Sequence, residues 1–222
     1  MKTAFPTRKA RLFIVDDHPV MRRGLVEVIS EMSTMEVCGE AASKDEALQA
    51  VARLQPDLVL VDISLGDDNG IDLIKEIKNQ GSHVKMLVLS MHDEMLFAAR
   101  ALRAGAMGYV DKNEPTSYLM EAISQVLDNR IYLSAKMTDR VLHRIAAGES
   151  PEEQSPLAQL SNRELQVFEM IGKGLITKQI AARLGLSAKT IETYRENIKA
   201  KLNLHNTTEL TREAVSWLME RG

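Results

Sequence analysis

The run Leu12-Phe13-Ile14-Val15 is a short apolar strand that stops on two adjacent carboxylates, Asp16 and Asp17. Three later segments share this design. Residues 56–61 run into Asp62, residues 84–89 into Ser90, and Gly108-Tyr109-Val110-Asp111 into Lys112. In a parallel sheet with helical crossovers all strand C-termini lie along one edge, and ligands bind there near the point where strand order reverses. Three carboxylates, a hydroxyl and an ammonium are therefore expected in one shallow cleft. That set suits a divalent metal and a phosphoryl group rather than an apolar substrate.

The segments between these strands have helical period. Residues 19–30 predict a helix with Val20, Leu25, Val28 and Ile29 inward. Ser43 stands three residues before Glu46, the spacing of a capping box, and Pro56 stops the helix that follows. Ile71, Leu73, Ile74 and Ile77 mark a third helix, residues 96–104 a fourth closed by Gly105, and residues 116–127 a fifth. Strands alternating with helices of this length predict an α/β unit, a doubly wound five-stranded parallel sheet over residues 11–130.

From residue 131 the character changes. One further helix is expected over 134–147, inside a connector spanning 131–156, and residues 148–156 read as an exposed linker with two prolines. Residues 157–222 predict a small all-α domain. Ser161-Asn162-Arg163-Glu164 is a capping box, Thr177 is expected to cap a short helix ending at Gly185, and Ser187 a longer one reaching Leu202. A last helix follows over 208–219, with Leu210, Ala214, Val215 and Leu218 as an apolar stripe, part of which must pack on its own core while the rest is able to pair two copies.

Composition narrows the classes. With 222 residues, 45% hydrophobic and 27% charged, the chain fits two modest globular domains. No apolar run approaches the roughly 18 residues a membrane helix needs, and the first ten residues lack a signal-peptide core. The single cysteine, Cys38, cannot form an internal disulfide, so a reducing cytoplasm is expected. Residues 1–132 hold 15 basic against 20 acidic side chains, and residues 155–222 hold 10 against 7. Opposite balances point to different partners for the two parts. They also predict that the acidic part covers the basic part until a signal separates them.

Clustered carboxylates that stay ionised need a cation, and hard oxygen ligands point to Mg²⁺. A carboxylate can itself accept the phosphoryl group. Lys112 would then take one of its oxygens, and Ser90 another. Asp67 and Asp68 are expected as turn formers. His18 adjoins the pair, but Mg²⁺ disfavours imidazole, so a packing or helix-start role is expected. His83, His92, His143 and His205 show no metal-ligand spacing.

The motifs IVDDHP, LVLVDISLGDDNGIDLI, VLSMHD and AGAMGYVDK make residues 11 to about 130 resemble a response-regulator receiver domain, which has a flavodoxin-like fold. The resemblance implies that Asp62 accepts phosphate from a histidine kinase. It implies that Asp17, Asp62 and the Ser64 carbonyl hold Mg²⁺, with Asp16 assisting through the metal's shell. It further implies that Ser90 and Tyr109 form the conformational switch and that Lys112 contacts the phosphate. One departure stands out. Many receivers place a cis-proline after the lysine, where this chain has Asn113.

In the helical end, residues 177–202 have the lengths and break of a helix-turn-helix. Ile191, Tyr194, Ile198 and Leu202 are expected inward, while Lys189, Glu192, Thr193, Glu196 and Asn197 face base edges. Lys178, Arg195, Lys199 and Lys201 are candidates for phosphates, as are the N–H groups at Thr177. Periodicity alone fits a protein-binding bundle equally well. Residues 160–206 resemble a LuxR-type helix-turn-helix, and receiver plus this module is similar to the NarL/FixJ response regulators. Glu192 and Glu196 stand where some relatives carry lysines.

The leading expectation is a transcription factor, not an enzyme, with a histidine kinase, double-stranded DNA and a second copy as partners. The rivals are a receiver whose tail binds protein and an aspartyl-phosphate hydrolase. The hydrolase would need an acid/base carboxylate two residues past its nucleophile, where Ser64 stands.

Overall fold

A computed structural model describes residues 8–66, 68–146 and 156–219. Its contacts divide the chain into two compact units, Met1–Ala135 and Lys136–Gly222.

In the first unit β1 (Ala10–Val15), α1 (Pro19–Ser30), β2 (Met35–Ala41), α2 (Lys44–Leu54) and β3 (Leu58–Val61) lead to a small antiparallel hairpin, β4 (Ser64–Leu65) with β5 (Asp68–Asn69). Then come α3 (Gly70–Asn79), β6 (Lys85–Ser90), α4 (Glu94–Ala104), β7 (Tyr109–Asp111) and α5 (Thr116–Leu127). Five strands form one parallel sheet in the order β2-β1-β3-β6-β7. The reversal between β1 and β3 puts Asp16 and Asp62 on neighbouring strand ends. β3 and Leu12–Val15 of β1 are buried at every residue because helices cover both sheet faces.

The caps act where side-chain oxygens meet free N–H groups. Ser43 Oγ accepts from the Glu46 N–H, and Asp93 Oδ1 accepts from Met95 at 2.7 Å, which starts α4 two residues earlier than its apolar period indicates. Expectation and structure part at Val20, which is 83% exposed. Five residues upstream of buried Leu25 is about 140° around the helix, off the inner face. Gly70 has a steric reason for its identity. A Cβ there would lie 1.9 Å from the Asp62 carbonyl oxygen, so α3 could not start so close to the end of β3.

The chain leaving α5 joins the edge of the sheet. Tyr132 bridges Gly108 in parallel, its carbonyl accepting from the Tyr109 N–H and its N–H donating to Met107, each at 3.0 Å. The strand carrying Tyr109 is thereby covered on its open side.

From the boundary at Ala135 onward come α6 (Ala135–Ala146), a 3₁₀ turn (Pro156–Gln159), α7 (Asn162–Gly172), α8 (Thr177–Leu184), α9 (Ala188–Leu202) and α10 (Thr207–Met219). The stretch expected as an open linker, 148–156, lies outside the described residues except for Pro156. The capping box of α7 is complete, and Gly185 ends α8 at φ 68, a left-handed turn that glycine adopts without strain. Ile176, not Thr177, occupies the cap position of α8, because the Gln179 side chain accepts its N–H while the Thr177 hydroxyl turns elsewhere. Leu165, Phe168, Ile180, Ile191, Ile198 and Trp217 build the core. Leu210 and Ala214 are completely buried, and they are the part of the last helix's stripe that packs on its own bundle. Gly172 lets α7 approach Ala214 closely enough that a Cβ would sit 2.6 Å from its carbonyl.

Candidate functional site

Asp16, Asp17, His18 and Asp62 each place a ligand atom within 4.8 Å of the others at the β1/β3 edge. Asp16 is buried. Its Oδ1 accepts the His18 N–H at 2.8 Å, and its Oδ2 lies 2.6 Å from Lys112 Nζ. The same ammonium reaches Asp62 Oδ2 at 2.6 Å, while Asp62 Oδ1 accepts from the Ser64 N–H at 3.3 Å. Burial pushes the Asp62 carboxyl above the ordinary carboxylate range, with Lys112 opposing the shift. Burial also works against the charge on Lys112, but the two carboxylates outweigh it and hold its pKa above the ordinary value.

Asp17 supplies the test of fit for a metal. Its Oδ2 accepts from the Gly66 N–H at 2.9 Å, whereas its Oδ1 is buried without a hydrogen-bond partner. His18 Nδ1 stands 2.7 Å from that oxygen but outside hydrogen-bonding geometry, on a ring that is 66% exposed. Three carboxylates against one buried ammonium, with an orphaned oxygen among them, fit a hard divalent cation with oxygen ligands. The histidine sits at the start of α1 as expected, but its exposure shows that it does not pack.

The other predicted side chains converge on the same edge. Ser90 is wholly buried, and its Oγ accepts the His92 N–H at 3.2 Å. Tyr109 is 1% exposed and already turned inward, donating its hydroxyl to the His92 carbonyl at 2.8 Å. The loop after Lys112 contains no cis peptide bond, and Asp111 Oδ1 accepts from both the backbone and side-chain nitrogens of Asn113. Sequence reasoning passed over His92. Its only signal was its place in the VLSMHD motif, two residues beyond Ser90.

On the helical unit, Ile191 and Ile198 are buried and Tyr194 and Leu202 half-buried, while Lys189, Glu192, Thr193, Glu196 and Asn197 are exposed on the opposite face. Glu192 Oε1 accepts the Thr177 hydroxyl at 2.6 Å, and Arg195 donates to Thr177 Oγ1 at 3.3 Å. Lys199 pairs with Glu196 at 2.9 Å and Lys201 with Glu164 at 2.6 Å. Lys178 and Lys189 stand exposed and, among the described residues, form no ion pair.

Residues 12–124 match the response regulator receiver domain, and residues 158–214 match the bacterial regulatory proteins of the luxR family. The chain belongs to the response regulators of NarL/FixJ type. It is 31% identical over 204 residues to the response regulator UvrY of Escherichia coli K12, covering 92% of this chain and 93% of that one. Against the oxygen regulatory protein NreC of Staphylococcus carnosus it is 34% identical over 209 residues, covering 92% and 96%. A LuxR-family two-component response regulator from Aurantimonas superposes with a TM-score of 0.58 at 31% identity, over 62% of this chain and 99% of that one. RcsB of Salmonella enterica shares the fold with a TM-score of 0.61 at 24% identity, over 94% of this chain and 100% of that one. As a member of this family the chain is a transcriptional regulator with a receiver and a DNA-binding module, not an enzyme. Among the described residues no helix is long and apolar enough to cross a membrane.

Proposed function

We propose that Asp62 accepts a phosphoryl group from a sensor histidine kinase, and that the phosphorylated chain dimerises and binds operator DNA in the cytoplasm. The observation that carries this reading is the Lys112 ammonium, 2.6 Å from both Asp62 and Asp16 in a cleft with an orphaned Asp17 oxygen. An Asp62 carboxylate oxygen attacks phosphorus, the bond from phosphorus to the donor breaks, and the donor leaves with its electron pair. Asp17, Asp62 and the Ser64 carbonyl would hold Mg²⁺, with Asp16 acting through its shell. When bound, the ion neutralises charge on the transferring oxygens. Lys112 keeps one carboxylate oxygen oriented and is placed to take a phosphoryl oxygen, and Ser90 is placed to donate to another.

The output follows from the helical unit. One recognition helix, α9, reads few base pairs, so specific affinity calls for two copies on half-sites roughly 34–36 Å apart. Thr177, Lys178, Lys189, Arg195, Lys199 and Lys201 would meet phosphates, while Glu192, Thr193, Glu196 and Asn197 would face base edges.

The test is incubation with Mg²⁺ and a small acyl phosphate, read by intact mass. One added phosphate on the wild type, absent from Asp62→Asn, is the expected result. Equal labelling of Asp62→Asn, or a label on Asp16, would overturn the assignment.

A further inference from the structure

His92 lies beyond the residues assigned so far, yet three parts of the acceptor edge are tied to it. Its N–H donates to Ser90 Oγ at 3.2 Å, and its carbonyl accepts from the Tyr109 hydroxyl at 2.8 Å. Its ring nitrogen Nε2 lies 3.0 Å from Ser64 Oγ, in a hydrogen bond whose donor depends on the ring tautomer. The ring stacks at a tilt on Phe97 of α4, with centroids 4.9 Å apart and planes at 43°. The residue is 6% exposed.

The partners give these ties a meaning. Ser64 is the residue whose carbonyl is offered to Mg²⁺, and its hydroxyl is held by the ring. Ser90 and Tyr109 are the two switch side chains, and both bond to the His92 backbone. A Ser90 hydroxyl that moves to a phosphoryl oxygen on Asp62 weakens its hold on the His92 N–H. A shift of His92 then reaches Ser64 through the ring and α4 through Phe97. A buried polar group is costly to leave unpaired, so these bonds break and form together rather than one at a time.

We infer that His92 is a positioning residue: through Ser64 it orients the metal-binding loop, and through its backbone it sets the resting state of the Ser90–Tyr109 switch. This rests on the function proposed above. Side chains behind a metal ligand typically set its affinity by about 10- to 100-fold when removed.

The test uses the full chain with Ser64→Ala, which keeps the carbonyl, and His92→Phe, which keeps a ring on Phe97. Their double variant and His92→Gln, which keeps a hydrogen-bonding atom at similar reach, complete the set. Mg²⁺ affinity is read by calorimetry, and the phosphodonor-dependent gain in DNA affinity by titration. Each single variant should lose roughly tenfold in Mg²⁺ affinity. The double variant should lose no more than either single one, because the two side chains form one bond. His92→Gln should recover most of the loss, and His92→Phe should also show a smaller gain in DNA affinity on phosphorylation. Wild-type Mg²⁺ affinity in both single variants, or losses that add in the double variant, would overturn the inference. A wild-type chain that takes no phosphate on Asp62 would instead overturn the underlying function.

Discussion

Glu94, the first residue of α4, accepts a hydrogen bond from the backbone N–H of Ser134, the residue before α6, at 3.0 Å. Burial raises the Glu94 carboxyl above the ordinary range, with the Ser134 donors opposing the shift. With Tyr132 paired to the edge of the sheet, the exit of the receiver is fastened to α4 and to the strand carrying Tyr109. A change of packing around α4 therefore reaches the connector through the hydrogen bond from Ser134 to Glu94.

This relationship predicts a variant that separates input from output. Glu94→Ala should take up phosphate on Asp62 as the wild type does, since it touches none of the acceptor groups. Its phosphorylation-dependent gain in DNA affinity should shrink several-fold, within the range of typical coupling energies of about 1–3 kcal/mol. Labelling by intact mass and DNA titration on the same preparation check both halves. An undiminished gain would mean that the exit clamp transmits nothing.

Ser90→Ala should behave differently. The hydroxyl oxygen that accepts the His92 N–H is lost, and with it the donor to a phosphoryl oxygen. Labelling should slow and the DNA response should fall, because no hydroxyl is left to exchange the His92 N–H for a phosphoryl oxygen and so to disturb the bond from Tyr109 to the His92 carbonyl. A full response from this variant would show that the switch runs through another residue.

Much of the first unit was legible because its signals are local. Strand runs end on polar residues, caps stand three residues from their partners, and Ile71, Leu73, Ile74 and Ile77 are all buried as their spacing predicts. The two-residue strands β4 and β5 are too short to carry a period, so Asp68 reads as a turn residue although it pairs with Leu65. Tyr132 and His92 were invisible for another reason. Their partners come from segments far along the chain, and no pattern within one element records such a bond. The stripe of the last helix does not say by itself which of its residues enter their own core; the fold assigns Leu210 and Ala214 to it. For the site, the cluster of Asp16, Asp17, Asp62 and Lys112 followed from strand ends alone, but the two hydrogen bonds that Lys112 donates to Asp16 and Asp62 needed the fold.

The helical unit offers a pH test with a defined sign. Burial alone would raise the Glu164 carboxyl, but the Lys201 ammonium at 2.6 Å and the Ser161 donors prevail and hold it below the ordinary range. A carboxyl depressed by folding stabilises the fold above its unfolded pKa of about 4.3, and that stability is lost as pH falls through the folded value. Trp217, the one tryptophan of the chain, is buried in α10 and reports on this unit. Melting followed by its fluorescence should show Glu164→Gln less stable than wild type at neutral pH, with the gap closing on acidification below about pH 4. A gap independent of pH would leave the ion pair without a share in stability.

The last prediction concerns the exposed face of α9, where carboxylates stand among the cations. Arg195 and Lys199 are 11% and 15% exposed and pair with Glu192 and Glu196, and Lys201 pairs with Glu164. Their carboxylate partners are exposed, so each ion pair is worth only about 0–1 kcal/mol, and Arg195 is held in addition by its hydrogen bond to Thr177 Oγ1. Pulling them away, however, leaves two carboxylates facing the phosphates. Each phosphate neutralised contributes about −0.9 to the slope of log affinity against log salt, so this chain should show a shallow slope for a helix with so many lysines. Glu196→Gln frees Lys199 and removes a negative charge. It should bind DNA of any sequence more tightly and steepen the slope by about one. Glu192→Gln should act on sequence instead, because a carboxylate accepts from cytosine N4 whereas an amide suits adenine. Selection of operators from a random library by both proteins would show the change at one position of each half-site. Identical selected sequences would assign Glu192 to bracing Thr177 and Arg195 within the helix-turn-helix, and leave base reading to Lys189, Thr193 and Asn197.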